Sequence, residues 1–154
     1  MVMVPAEGQW IDKVFHFPIR VYYEDTDLGG MVYHGRYVSF LERTRSESIR
    51  GTAADIDPLL ELTEEEGGPI VYVVSSLEIK YKRQAKVGDV LIGHSKVTRL
   101  RAAAIEIEQW ITCEGQDIVT AKLLVAIVDA NTGRPRRWPP AVKAIWAGWC
   151  VDDT

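Results

Sequence analysis

The stretch Val21-Tyr22-Tyr23-Glu24-Asp25-Thr26-Asp27-Leu28-Gly29-Gly30-Met31-Val32-Tyr33-His34-Gly35-Arg36-Tyr37 separates a segment of strand period from one of helix period. Upstream, Phe15, Phe17, Ile19, Val21 and Tyr23 alternate with His16, Pro18, Arg20 and Tyr22. That period predicts a half-buried strand, pushed to an edge or a bulge by Pro18, with Tyr23 on its inward face. Downstream, Tyr37, Phe40, Leu41, Thr44 and Ser48 share one stripe, which predicts a helix from about Gly35 to Arg50. Gly51 follows, where a left-handed helix end favours a residue without a side chain. The connection between the two elements carries three acids, two adjacent glycines and a histidine.

Beyond the helix, a second short helix is expected within Asp55–Glu66, starting near Pro58 and stopped by Gly67-Gly68. Four strands should follow: Val71 to Tyr81, about Asp89 to Leu100, Ala103 to Cys113, and Ile118 to Asp129. Turns fall around Leu100-Arg101-Ala102 and Glu114-Gly115-Gln116. Leu123 to Val128 is apolar on both faces, which predicts cover on both sides. Pro139-Pro140 opens a short C-terminal helix with Ile145, Trp146 and Trp149. The order is strand, long helix, then four antiparallel strands: an α+β arrangement in which a curved sheet can wrap the helix. It reads as one domain over residues 1–154, with its core at about 14–130 and a C-terminal segment at 131–154. A leftover apolar sheet face predicts a second subunit, hence a homodimer or homotetramer.

Composition narrows the function. With 47% hydrophobic and 26% charged residues in 154, the chain is that of a globular domain. A formal charge of −4 argues against a nucleic-acid binder or a protein drawn to anionic membrane. Its apolar runs are too short for membrane insertion. Cys113 and Cys150 do not make a disulfide framework or a four-ligand zinc site. Met1 to Ile11 lacks the basic-then-apolar pattern of a signal peptide, so a cytoplasmic setting is expected.

The connecting block has the parts for acyl transfer to water. Gly29 and Gly30 let a ligand approach the main chain closely. A helix start offers unpaired N–H groups and the positive end of the helix dipole, which polarise a carbonyl placed there. A nearby carboxylate can attack that carbonyl or activate a water. Other readings stand beside this one. Asp25 and Asp27 also suit turns and caps, and a lone His34 also suits a surface position. A calcium loop fails, because Gly29 takes the third ligand position and Arg36 stands where a bidentate Glu is needed. Asp25, Asp27 and His34 match no compact metal spacing, so no metal is expected. No Gly-x-Ser-x-Gly turn supports a serine hydrolase.

The run from Val21 to His34, with Tyr37 and Phe40-Leu41-Glu42-Arg43-x-Arg45, resembles the 4-hydroxybenzoyl-CoA thioesterase family, nearest its Tol–Pal-associated branch. Looser similarity continues through Ser75 to Tyr81, Ala85 to Asp89 and Asp129 to Pro139. The resemblance implies a hot-dog fold and hydrolysis of an acyl-CoA to a carboxylic acid and coenzyme A, with no cofactor. It implies Asp27 as nucleophile or general base, accompanied by Tyr23 and His34, with the His34 backbone N–H polarising the thioester carbonyl. Asp25 stays a supporting acid. Gly29, Gly30, Tyr33, Ser75, Arg99 and Arg101 are candidates for substrate binding, the arginines for the phosphates of coenzyme A. Leu28 departs from the small residue usual at its position and is expected to reshape the acyl pocket. An acyl carrier protein or an envelope or phospholipid enzyme is a candidate partner. The alternatives are a non-catalytic acyl-thioester-binding module and a hydroxyacyl-thioester dehydratase using His34 with Glu42 or Glu47.

Overall fold

A computed structural model describes residues 1–151. Pairing begins earlier than the periodicity suggests. Strand β1 (Gln9–Ile11) runs antiparallel to β2 (Val14–Arg20), with Trp10 opposite Phe15. Their two-residue turn, Asp12-Lys13, has φ of 48° and 63°. Such turns are usually announced by Asn-Gly or Asp-Gly, so this hairpin carries no local signal. Strands β3 (Ile70–Tyr81), β4 (Val90–Leu100), β5 (Ala104–Cys113) and β6 (Gln116–Asp129) match the four expected. All six form one antiparallel sheet in the order β1-β2-β4-β5-β6-β3, which leaves β1 and β3 at the edges. At the β5–β6 turn, Glu114 and Gly115 take φ of 51° and 80°.

Helix α1 (Arg36–Ile49) ends against Gly51, whose φ is +76°. The expected stripe is its buried face: Phe40, Leu41 and Thr44 are fully buried and Tyr37 and Ser48 nearly so. Burying side chains like Phe40 and Leu41 stabilises by about 1.5–3 kcal/mol each. The helix meets β4 at Gly93, where any Cβ would collide with Thr44. It meets β5 at Gln109, whose Nε2 donates to the Leu41 carbonyl (3.0 Å) while its Oε1 accepts from Arg45 Nη1 (2.8 Å). An antiparallel sheet laid on one long helix in this order is the hot-dog fold.

Helix α2 (Ile56–Leu60) starts two residues before Pro58, because the Asp55 carboxylate caps it by accepting from the Ile56 N–H. Helix α3 (Pro140–Trp149) is pinned by indoles: Trp146 Nε1 donates to the Tyr72 hydroxyl (3.0 Å), and Trp138 Nε1 to the Arg101 carbonyl (2.8 Å). On β6, Ala121, Leu123, Val125 and Ile127 are buried, while Leu124, Ala126 and Val128 are only half-covered. On β3, neither face is covered from Val73 to Ser76, so the apolar face expected there is open.

Backbone contacts divide the chain into two compact units. One comprises residues 1–48, 79–95 and 109–121, and holds the Asp-rich connection and nearly all of α1. The other comprises 49–78, 96–108 and the chain from 122 onward, and holds α2 and α3.

Candidate active site

The strand period stops short of Tyr23 because Asp25 turns the chain. Val21 still pairs, its N–H donating to Asp89 O (2.9 Å), and it is buried. One residue on, the Asp25 carboxylate accepts from the Tyr22 N–H (2.8 Å) and a 3-10 turn forms over Tyr23–Asp25. Tyr23 is therefore 81% exposed, not on an inward strand face. Asp25 is 2% exposed and binds Arg36 Nε at 2.7 Å, while Glu24 lies 3.6 Å from Arg36 Nη2. The hydrogen bond to Asp25 outweighs desolvation and holds the Arg36 pKa above its ordinary value.

Asp27 begins a tight hairpin. Its N–H donates to Met31 O (2.9 Å), its carbonyl accepts from the Gly30 N–H (3.0 Å), and Thr26 bridges Val32. Gly30 takes φ +76°, a left-handed conformation that costs a residue with a Cβ about 1–2 kcal/mol. The Asp27 side chain is exposed; Oδ1 accepts from the Gly29 N–H (3.0 Å), and Oδ2 has no partner among the described residues. Leu28, at the tip, is wholly exposed rather than folded into a pocket of this chain. The hairpin is latched to a distant segment: Val32 N–H donates to Ala85 O (2.9 Å) and Val87 N–H to Gly30 O (3.0 Å).

The return limb carries Tyr33 and His34, both exposed, with ring centroids 4.5 Å apart. Tyr33 N–H donates to Asp25 O (3.0 Å) and Arg36 N–H to Tyr33 O (2.8 Å). His34 lies two residues ahead of α1, and its N–H makes no hydrogen bond among the described residues. Its carbonyl accepts from the Tyr81 hydroxyl (3.2 Å), and its ring meets Tyr81 edge-on. Tyr81 carries no sequence signal for this role, being one aromatic on a strand far along the chain. Tyr23, Asp27, Gly29, Gly30, Tyr33 and His34 thus belong to one hydrogen-bonded loop in the first unit. Chemically it offers a carboxylate oxygen and a backbone donor, both unengaged.

Ser75, Arg99 and Arg101 belong to the second unit. Ser75 is exposed and its hydroxyl donates to Leu124 O (3.1 Å). Both arginines meet Glu106, Arg101 at 3.0 Å and Arg99 at 3.9 Å. Arg101 lines an open cleft of about 510 Å³ together with Glu78, Glu106, Glu108 and Lys122. A phosphate would have to compete with Glu106 for either guanidinium. Among the described residues, no group of three or more His, Cys, Asp or Glu is placed to hold a metal.

With fold and loop in view, the comparisons converge. The model of the thioesterase-like superfamily matches residues 21–145, and the chain belongs to that family. It is 40% identical over 134 residues to the acyl-CoA thioesterase YbgC of Haemophilus influenzae, covering 87% of this chain and 95% of that protein. It is 33% identical over 132 residues to the acyl-CoA thioester hydrolase YbgC of Escherichia coli O6:H1, covering 85% and 94%. Among solved structures, a probable thioesterase from Bartonella henselae superposes with TM-score 0.74 at 38% identity, covering 80% of this chain and 98% of that one. The family expected from the Val21–His34 block is the family found.

Proposed function

We propose that this chain is an acyl-CoA thioesterase in which Asp27 is the catalytic carboxylate. The observation that carries the reading is that one loop holds both an Asp27 oxygen and a His34 N–H without a partner among the described residues. The thioester carbonyl oxygen rests against the His34 N–H, which stabilises the negative charge that develops there. Asp27 attacks the carbonyl carbon, or takes a proton from a water that does. The carbon–sulfur bond breaks and the thiolate leaves as coenzyme A. Where Asp27 is the nucleophile, a water then hydrolyses the acyl–Asp27 anhydride, so either route consumes one water and yields the carboxylate, free coenzyme A and a proton. Tyr23 and His34 flank the reacting group, and Gly29 and Gly30 let it approach the backbone. No cofactor or metal enters this scheme.

A second copy of the chain belongs to the same reading. Strand β3 is a 12-residue edge with Val73 and Val74 each 44% exposed, and an uncovered edge of that kind invites pairing. We place the enzyme in the cytoplasm.

The test is thiol release from short, medium, long and aromatic acyl-CoAs, repeated on the same acyl groups carried by acyl carrier protein. Asp27→Asn should lower turnover by about 10²–10⁴-fold while fold and oligomer persist. Undiminished hydrolysis by that variant would refute the role of Asp27. Acyl-CoA binding without turnover by the wild-type protein would favour a binding module, and an enoyl product a dehydratase.

A further inference from the structure

We propose that Arg36 is a positioning residue: through Asp25 it fixes the distance between the Asp27 turn and the His34 amide. The inference rests on the thioesterase reading of this loop. Its warrant is the way the loop is closed. Residues 22–25 and 33–36 form its two limbs, and four bonds join or shape them at the base. Tyr22 N–H reaches Asp25 Oδ2 at 2.8 Å, and Arg36 Nε reaches Asp25 Oδ1 at 2.7 Å. Tyr33 N–H reaches Asp25 O at 3.0 Å, and Arg36 N–H reaches Tyr33 O at 2.8 Å. Asp25 is thus the common acceptor for both limbs, and Arg36 is its only side-chain donor among the described residues.

Helix physics sharpens the point. A cation at the first residue of a helix faces the positive end of the dipole and is unfavourable there on its own account. A buried carboxylate, in turn, needs more than one donor. The two liabilities cancel only when the side chains meet, which requires the limbs to hold one spacing. The bond runs through Nε, leaving Nη2 to face Glu24 at 3.6 Å. A lysine has no donor at that point of its chain, so it carries the charge without the geometry. Asp27 and the His34 N–H sit on the spans between these ties, so slack at the base separates them in the bound substrate.

The experiment compares wild type, Arg36→Ala, Arg36→Lys, Asp25→Asn and the Asp25→Asn/Arg36→Ala double variant, assayed with one acyl-CoA well below each melting point. Arg36→Ala should lower kcat at least tenfold with KM within threefold, and Arg36→Lys should recover only part of it. The double variant should be no slower than the worse single one, because both changes open the same tie. Exchange of the Tyr33 amide proton should quicken in Arg36→Ala. Unchanged kcat in folded Arg36→Ala, or multiplicative losses in the double variant, would overturn the proposal. So would a rise in KM at constant kcat, which would make Arg36 a substrate ligand. If the wild type hydrolyses no thioester, the enzymatic reading fails, and Tyr33 exchange alone still decides whether Arg36 holds the loop. Unaltered exchange would then sink it.

Discussion

The loop of residues 22–36 and the charged sheet face of the second unit use the same residue types to opposite ends. On the sheet face, charges are matched to neighbours: Lys96 with Glu108 at 3.4 Å, and Arg99 and Arg101 with Glu106. Exposed pairs of this kind contribute little to stability. In the loop the work is divided. Asp25 is buried and takes up the structural bonds, while Asp27, two residues on, keeps one oxygen unbonded among the described residues. A carboxylate relieved of holding the fold is available for chemistry.

The sharpest way to break this contrast is to exchange the fates of the two acids. Asp27→Asn should abolish most turnover and move the melting temperature little. Asp25→Asn should cost about 1–3 kcal/mol, the penalty for a buried polar group that loses its partner. At this chain length that lowers the melting temperature by roughly 2–4 °C per kcal/mol, readable by calorimetry. If both variants behave alike, the division of labour is wrong.

A smaller effect tests the frame that carries the loop. Gly93→Ala drives a methyl into Thr44 and should destabilise by about 1–3 kcal/mol as overpacking. Activity per folded molecule should survive if the helix only supports the loop.

Next comes pH. His94 stacks on Trp110 with centroids 4.9 Å apart, meets the edge of His16, and bonds Thr112 Oγ1 through Nε2 (3.0 Å). Its Nδ1 is buried and has no partner among the described residues. Burial first, then the neighbouring His16, push its pKa down to about 4, against the pull of Asp117. The unfolded chain therefore binds a proton more readily than the folded one between the ordinary histidine range and that value. The contribution of His94 is complete above about 6.5 and is lost as pH falls towards 4. Melting curves of wild type and His94→Gln should converge over that window; a constant gap would contradict the assignment.

The smallest effect belongs to the sheet face. Arg101→Ala should change KM for acyl-CoA less than about threefold, since Glu106 already occupies the guanidinium. A tenfold rise would make Arg101 a phosphate ligand and erase the contrast drawn above.

Much of this was legible in the residues. The α1 stripe, the four long strands and their turns follow from hydrophobic period and turn residues, and on α1, β4 and β5 one buried face dictates the pattern. The β1–β2 hairpin did not, since Asp12-Lys13 adopts positive φ without a glycine or asparagine to announce it. The inward placement of Tyr23 failed because a side chain, not the backbone, decides where β2 ends: Asp25 captures the Tyr22 amide and breaks the alternation. In the loop, acids, glycines and histidine were visible as a block, but nothing local distinguished Asp25 from Asp27. Their difference depends on Arg36, eleven residues from Asp25, and on the depth to which the chain buries each one. Tyr81 and the contacts at Ala85 and Val87 are long-range and left no trace in spacing.

Those last contacts have an engineering consequence. The Asp27 hairpin hangs on a short crossing at Ala85–Val87, far along the chain from the acid it supports. Deleting or inserting one residue in that crossing would slide the attachment points by roughly 3.3 Å, the rise of one extended residue. Directed evolution of substrate preference thus has a remote adjustment screw, in a segment that touches no proposed reacting atom.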